Sequence, residues 1–395
     1  MTLVNEDNTE TLNAPAIAQQ SVEPTRKPTI MDVAAASGVS YATVSRYLNG
    51  NPHVSAKAAR RIAAAVKATQ YTPNNAARSL VRQRTQTVAF VVHGETDSII
   101  TDPNISTIMV TANQRLGDAG YQLVTLIADT PQACERIARL ASSGFADGWI
   151  LNSFHTDDAL FNTFRELNVP IAISGVGYGS QSPFPTVDID NAASSCALTK
   201  HMRDNGYRRI AYICGPDFLP CSTERLAGFR TVMGDDFDPS LVVSAADWSR
   251  GSGSAAIEQL LSRLAEGSSN RSASSLLADH HIDALMCGND CIAVGAMQYL
   301  MSHGVRIPDD LAIAGFDDSP DAISSHPQLT TVHQPIEQFG ICMADMVLDQ
   351  LEGRTPQRIH MLDTTVIERE STARGISPKA YGYCTTPSAR ATIQL

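Results

Sequence analysis

Past Thr85 the chain alternates short apolar, β-rich runs with stretches of helical periodicity. The runs TVAFVV (87–92), YQLVTLI (121–127), GWILN (148–152), PIAIS (170–174), RIAYIC (209–214), ALMCG (284–288) and LAIAGF (311–316) read as strands. Amphipathic segments at 192–204, 224–233 and 291–303 read as helices between them. Strands buried on both faces and separated by helices predict parallel sheets in doubly wound, Rossmann-like α/β layers. Seven or more such units are more than one core needs, so two lobes are expected. The serine-rich stretch from Gly267 to Ser275 reads as an exposed loop.

The first eighty residues carry a different period. In TIMDVAAASGVSYATVSRYLNG, Ile30, Val33, Ala34 and Ser37 share one helical face, and Gly38 turns the chain out of that helix. Ser40 caps a second helix reaching about Leu48, with Val44 and Leu48 facing inward. Asn49-Gly50-Asn51-Pro52 breaks it, and Ser55 caps a third helix with a packing stripe of Ala59, Ile62, Ala63 and Val66. Two short helices joined by a glycine turn form the motif that lays its second helix in a DNA major groove. Tyr41, Ala42, Thr43, Ser45 and Arg46, which point away from the inner face, become base-edge or phosphate readers.

Charge sharpens this reading. The net charge is −11, yet residues 25–84 hold ten basic side chains against one acid, Asp32. A basic block on an acidic body suits a nucleic-acid surface, with a merely solvated face as the plainer alternative. Eight cysteines stand scattered, with no zinc-finger pairing, and read as reduced thiols of a cytoplasmic protein. No secretory leader or membrane-length apolar run is evident.

The segments TIMDVAAASGVSYATVSRYLNG and HVSAKAARRIAAAVKATQYTPNNAARSLVRQRT resemble the DNA-binding headpiece and hinge of the lactose/galactose repressor family. The resemblance implies base contacts from Tyr41, Ala42 and Arg46, and phosphate contacts from Thr29, Ser40, Thr43, Ser45, Asn49, His53 and Ser55. It implies a hinge helix in which Asn74, Ala77 and Arg78 line the minor groove and Leu80 wedges between base pairs. A core leucine at a domain junction is the plainer reading of Leu80. The resemblance continues through GYRRIAYICGP, STERLAGF, DWSRGSG, ALMCGNDCIAVGAM, GVRIPDDLAIAGFDDSP, LTTVHQP and IERESTA. It implies a two-lobed core like that of periplasmic binding proteins, with the chain crossing between lobes near residues 187, 333 and 359.

The expected organisation is a disordered extension (1–28), a helix-turn-helix headpiece (29–73), a hinge and linker (74–84), an effector-binding, dimerising core (85–375) and a flexible tail (376–395). The first lobe takes about 85–187 and 334–358, the second about 188–333 and 359–375.

In such folds ligands sit where strand C-termini meet. Several of these ends carry groups suited to polyols: Asn152 after GWILN, Asn289 and Asp290 after ALMCG, Asp317 after LAIAGF, and Gln334 after LTTVH. Arg225 supplies a planar donor fork and Trp248 a ring for a sugar's apolar face. Asn152, Arg225, Trp248, Asn289 and Asp317 match the family's effector positions; Asp290 and Gln334 match less directly. Each has a structural alternative: helix capping for Asp290, a turn for Asp317, core packing for Trp248, an ion pair for Arg225.

One departure concerns the effector. Gly175 stands after PIAIS where family members often present an aspartate, and Glu95, Asp97 and Asp102-Pro103 offer an acidic rim in compensation. No P-loop, HExxH or GxSxG speaks for an enzyme, GVGYG lacks the dinucleotide spacing, and His280-His281-Ile282-Asp283 reads as solvated surface. The sequence therefore points to a DNA-binding regulator, acting as a homodimer on a near-palindromic double-stranded operator. A mono- or oligosaccharide is the expected effector, a purine the alternative, and no cofactor, metal or membrane is expected.

Overall fold

The computed structural model describes residues 28–50, 53–72, 84–93, 102–152, 159–175, 182–265 and 271–373. The chain divides into two compact units, Met1–Gln83 and Arg84–Leu395.

The first unit is a three-helix headpiece: α1 (Ile30–Ser37), α2 (Tyr41–Leu48) and α3 (Ala56–Thr69). Asp32 closes the start of α1, accepting from the Thr29 backbone N–H and hydroxyl, both at 2.7 Å. Gly38 ends α1 in the left-handed region at φ 58°, where a β-carbon would also lie 2.5 Å from the Arg61 guanidinium. Arg61 donates to the Gly38 carbonyl at 3.3 Å, so this base braces the turn. Val33, Val44, Ile62 and Ala65 form the core, with Ile30, Leu48 and Val66 packed around it. Ala63, expected in the packing stripe, is exposed, and Ala65 takes its place one turn after Ile62. The hinge candidates Asn74, Ala77, Arg78 and Leu80 lie outside the described residues, as do Glu95, Asp97 and the chain after Ala373.

The second unit contains two parallel sheets. The first runs β2-β1-β3-β4-β5-β11, from β1 (Thr87–His93), β2 (Gln122–Ala128), β3 (Gly148–Asn152), β4 (Ile171–Ser174), β5 (Thr186–Ile189) and β11 (Ile359–Leu362). The helices α4 (Pro103–Asp118), α5 (Pro131–Ser142), α6 (Ala159–Glu166) and a later helix, α13 (Ile336–Leu351), belong to this lobe. The second sheet runs β7-β6-β8-β9, from β6 (Ile210–Cys214), β7 (Val242–Ser244), β8 (Ala284–Cys287) and β9 (Ala312–Ala314). It carries α7 (Asn191–Asp204), α8 (Pro220–Met233), α9 (Arg250–Leu264), α10 (Ala273–Asp279), α11 (Asp290–Ser302) and α12 (Pro320–Ser324). All seven strands read from the sequence are present, shifted by a residue or two at their ends. β10 (Thr331–His333) and β12 (Thr365–Ile367) pair antiparallel where the chain passes between lobes.

Two details depart from expectation. Ile359–Leu362 pairs in parallel with Thr186–Ile189, so the chain leaves the first lobe after Leu362, several residues later than position 359. Part of the serine-rich stretch is helical, because the Ser272 hydroxyl accepts the Ser275 N–H at 3.2 Å and opens α10.

In both sheets the second strand in sequence lies outside the first and the third lies inside it. This reversal of winding opens a crevice at the strand C-termini, between β1 and β3 in one lobe and β6 and β8 in the other.

Ile62 is fully buried in a core of very few side chains. Ile62→Ala should cost about 2–5 kcal/mol, comparable with the whole stability of a unit this small. Hydrogen exchange should then show lost protection across 30–69 and unchanged protection in β1.

Candidate functional site

Strand ends from both lobes line one cavity that opens to solvent. It brings together all six effector candidates: Asn152, Arg225, Trp248, Asn289, Asp317 and Gln334. Its wall also includes Asp102, Asn104, Ser174, Gly175, Asp188, Asn191 and Cys221, with Ile105, Ile108, Leu219, Ile336 and Phe339 as the apolar part.

Asp317 organises the polar wall. It follows β9 in a left-handed conformation (φ 117°), with Asp318 also at positive φ (60°), a strained geometry for side chains other than glycine. Its backbone is pinned to the crossing strand: its N–H donates to Val332 at 2.9 Å, and the Gln334 N–H donates to its carbonyl at 3.2 Å. The Gln334 side-chain amide donates to Oδ1 at 2.5 Å, and the Asn104 amide from α4 donates to Oδ2 at 2.9 Å. Arg225 Nη1 lies 3.6 Å from Oδ1. Burial pushes this carboxyl up, against the pull of Arg225 and the two amides.

Arg225 is 6% exposed and held from several sides. Nε donates to Asn191 Oδ1 at 2.9 Å, Nη1 donates to the Gly288 carbonyl at 2.6 Å, and the guanidinium lies 3.7 Å from the Phe316 ring centroid. Asn152 accepts from the Ser174 hydroxyl at 2.8 Å. Trp248 packs over glycine: a β-carbon on Gly215 would stand 2.1 Å from its ring. The half-buried indole both packs against the second lobe's core and lines the cavity.

The capping role considered for Asp290 belongs to Asn289, whose Oδ1 accepts the Ile292 N–H at 2.8 Å. Its amide donates to the Trp248 backbone carbonyl at 3.3 Å, so this cap also fixes the main chain that carries the indole. Asp290 does not line the cavity; it lies behind it, accepting from the Thr331 hydroxyl at 2.6 Å and the Ser319 N–H at 2.8 Å. Burial first, and Asp317 second, push its carboxyl well above the usual range.

Asp102, one member of the expected acidic rim, caps α4, its Oδ1 accepting the Asn104 N–H at 2.8 Å. Burial, then the Asp317 charge, push its carboxyl up to about 7. Asn104, Ser174, Asp188, Asn191 and Cys221 were not singled out in the sequence. Asp188 lies in a strand of four residues, too short to stand out, and Asn191 just beyond it, while Asn104 is a common residue in a helix's first turn.

In the headpiece, Tyr41, Ala42, Arg46, Asn49, His53 and Ser55 are exposed, and Thr29, Thr43 and Ser45 are half-buried. Ser40 and Ser55 accept the Thr43 and Ala58 N–H groups at 3.4 and 3.3 Å. These caps leave other first-turn N–H groups of α2 and α3 directed outward, the usual arrangement for phosphate.

Residues 29–74 match the family described as bacterial regulatory proteins, lacI family, and residues 199–372 match a periplasmic binding protein-like domain. The HTH-type transcriptional regulator CelR of Thermobifida fusca is 34% identical over 355 residues, 89% of this chain and 100% of that protein. The chain belongs to the lacI family of bacterial regulatory proteins. As a member of that family it is a DNA-binding transcription regulator and not an enzyme. A solved complex of CelR with cellobiose aligns with TM-score 0.65 at 32% identity, covering 87% of this chain and 100% of that one. The lac repressor dimer bound to operator and the anti-inducer ONPF aligns with TM-score 0.74 at 25% identity, covering 88% and 99%. Among the described residues no helix is long and apolar enough to cross a membrane.

A raised carboxyl costs stability above its folded pKa, and the cost fades as pH falls toward the unfolded value near 4. Asp102→Asn keeps a good cap and removes that charge. Thermal unfolding of the variant should be higher by roughly 2–4 °C at pH 8, and the gain should shrink steadily between pH 7 and pH 4.

Proposed function

We propose that this lacI-family regulator represses transcription as a homodimer on a near-palindromic operator, and that a saccharide in the strand-end cavity controls its operator affinity. The carrying observation is the cavity wall, where buried amides, carboxylates and one guanidinium face the same space as an indole. Hydroxyls need such paired donors and acceptors, and a sugar ring's C–H face suits an indole. The relative CelR has been solved with cellobiose, so cellobiose is the first compound to test.

In this reading Asn152, Arg225, Trp248, Asn289, Asp317 and Gln334 contact the effector. Tyr41, Ala42 and Arg46 read bases, with Ala42 offering an apolar contact to a thymine methyl. Thr29, Ser40, Thr43, Ser45, Asn49, His53 and Ser55 hold phosphates. Asn74, Ala77, Arg78 and Leu80 enter the minor groove at the centre, where the wedge kinks the duplex. Asn104 of one lobe and Asp317 of the other share a hydrogen bond. A sugar hydroxyl competing for that bond favours one lobe arrangement over another, and such a bias is what an effector needs to shift a dimer. Release of DNA is the expected sign.

Fluorescence anisotropy on an operator selected by the protein tests this directly. Cellobiose, or another member of a mono- and oligosaccharide panel, should weaken operator binding tenfold or more. Arg225→Ala should keep operator affinity within about threefold and lose the response, because two buried polar partners and Asp317 are left behind. Tight operator binding that no saccharide alters, with a purine altering it instead, overturns the sugar assignment. Arg46→Ala should cost about 1–3 kcal/mol at the operator and less on random DNA; equal losses reassign it to phosphate.

A further inference from the structure

The cavity wall carries more carboxyl groups than basic ones. Asp102, Asp188 and Asp317 line it from three different elements, and Arg225 is the one basic side chain among the lining residues. That cation is already committed. It is held by Asn191, the Gly288 carbonyl and the Phe316 face, and it lies beside Asp317. Asn104 ties two of the acids together, its backbone N–H on Asp102 and its side-chain amide on Asp317. The remaining titratable group facing the space is the Cys221 thiol, which burial pushes up to about 11, so it stays neutral. Asp290 behind Asp317 is another acid.

From this geometry we infer that the cavity selects an uncharged or amine-bearing saccharide and rejects acidic ones, with Asp102 as the residue that sets the selection. The inference rests on the saccharide reading of the site and narrows its ligand class. Two physical points carry it. Above pH 7, where Asp102 is ionised as well, a phosphate or carboxylate entering beside these acids meets like charge in a partly dry space, where such encounters are costly. The guanidinium that would receive an anion already gives two of its five N–H donors to Asn191 and Gly288, and its charge is offset by Asp317 at 3.6 Å. A hydroxyl or ammonium donor, by contrast, meets acceptor groups among the lining residues. Asp102 is the adjustable member: it is partly open to the cavity, whereas Asp317 is 5% exposed and bound by two amides. Its cap role survives replacement by asparagine, so its charge can be removed without unfolding α4.

Isothermal titration calorimetry of the full chain at pH 8, where Asp102 is mostly ionised, tests the inference with four probes: cellobiose, cellobionate, cellobiose 6-phosphate and the glucosamine dimer. Cellobiose and the glucosamine dimer should bind, and both acidic probes should bind at least about 100-fold more weakly, near 2.8 kcal/mol at 1.4 kcal/mol per decade. In Asp102→Asn the gap between cellobiose and the acidic probes should narrow to about tenfold or less. Acidic probes binding within threefold of cellobiose overturn the charge selection and leave the saccharide reading intact. An unchanged gap in Asp102→Asn removes Asp102 from the role. Failure of all four probes to bind overturns the disaccharide as ligand and this inference with it, while the saccharide reading stands or falls on the operator-binding panel.

Discussion

A buried carboxylate just beyond one strand holds the second unit's polar architecture together. Removing the Asp317 charge from water is expensive unless it is met by opposite charge and hydrogen bonds. The chain meets it with three groups from three places: Asn104 from the first turn of α4, Gln334 just beyond β10, and Arg225 on α8. The strained φ of 117° aims the carboxylate at all three. Arg225 in turn fixes the Gly288 carbonyl and Asn191, and Asn289 beside Gly288 fixes the main chain that carries the indole. Each position in the wall is thus defined by its neighbour, and both lobes contribute.

The same network explains which residues are small. Trp248 can lie across the ends of β6 and β8 because Gly215 and Gly288 leave room beneath the ring. A side chain at Gly215 would push the indole into the space a ligand needs. The passage between lobes is braced separately: Asp318 accepts from Arg369 at 2.5 Å and lies 3.0 Å from His333 Nδ1, tying β10 to the segment after β12. A cavity at a winding reversal, walled by two lobes and crossed by short strands, has the mechanical freedom that a ligand-controlled change of shape requires.

Much of this was legible in the sequence, for physical reasons that also explain the rest. Strands such as GWILN and RIAYIC are buried on both faces, and uninterrupted apolar runs announce that. The strands β5, β7, β10 and β12 are three or four residues long and gave no such run, and β11 is half-exposed along most of its length. That is why the last passage between lobes was placed too early. Asn289 and Asp290 are adjacent residues with similar capping chemistry, and only the folded backbone distinguishes the cap from the buried acid behind it. Asn104, Asp188 and Asn191 come to the cavity through tertiary packing that no local pattern encodes. In the headpiece, Ala63 and Ala65 are chemically alike, so the inward one follows from the exact phase of α3 rather than from composition.

Intrinsic fluorescence offers the most direct measurement of the central claim. The chain has two tryptophans: Trp149 is fully buried in the first lobe, and Trp248 lines the cavity. Cellobiose titrated into the protein should produce a saturable change in emission that disappears in Trp248→Phe. In Arg225→Ala its midpoint should rise at least tenfold. A saturable change that persists in Trp248→Phe, or operator release by cellobiose with no change at Trp248, would put the ligand outside this cavity and contradict the account.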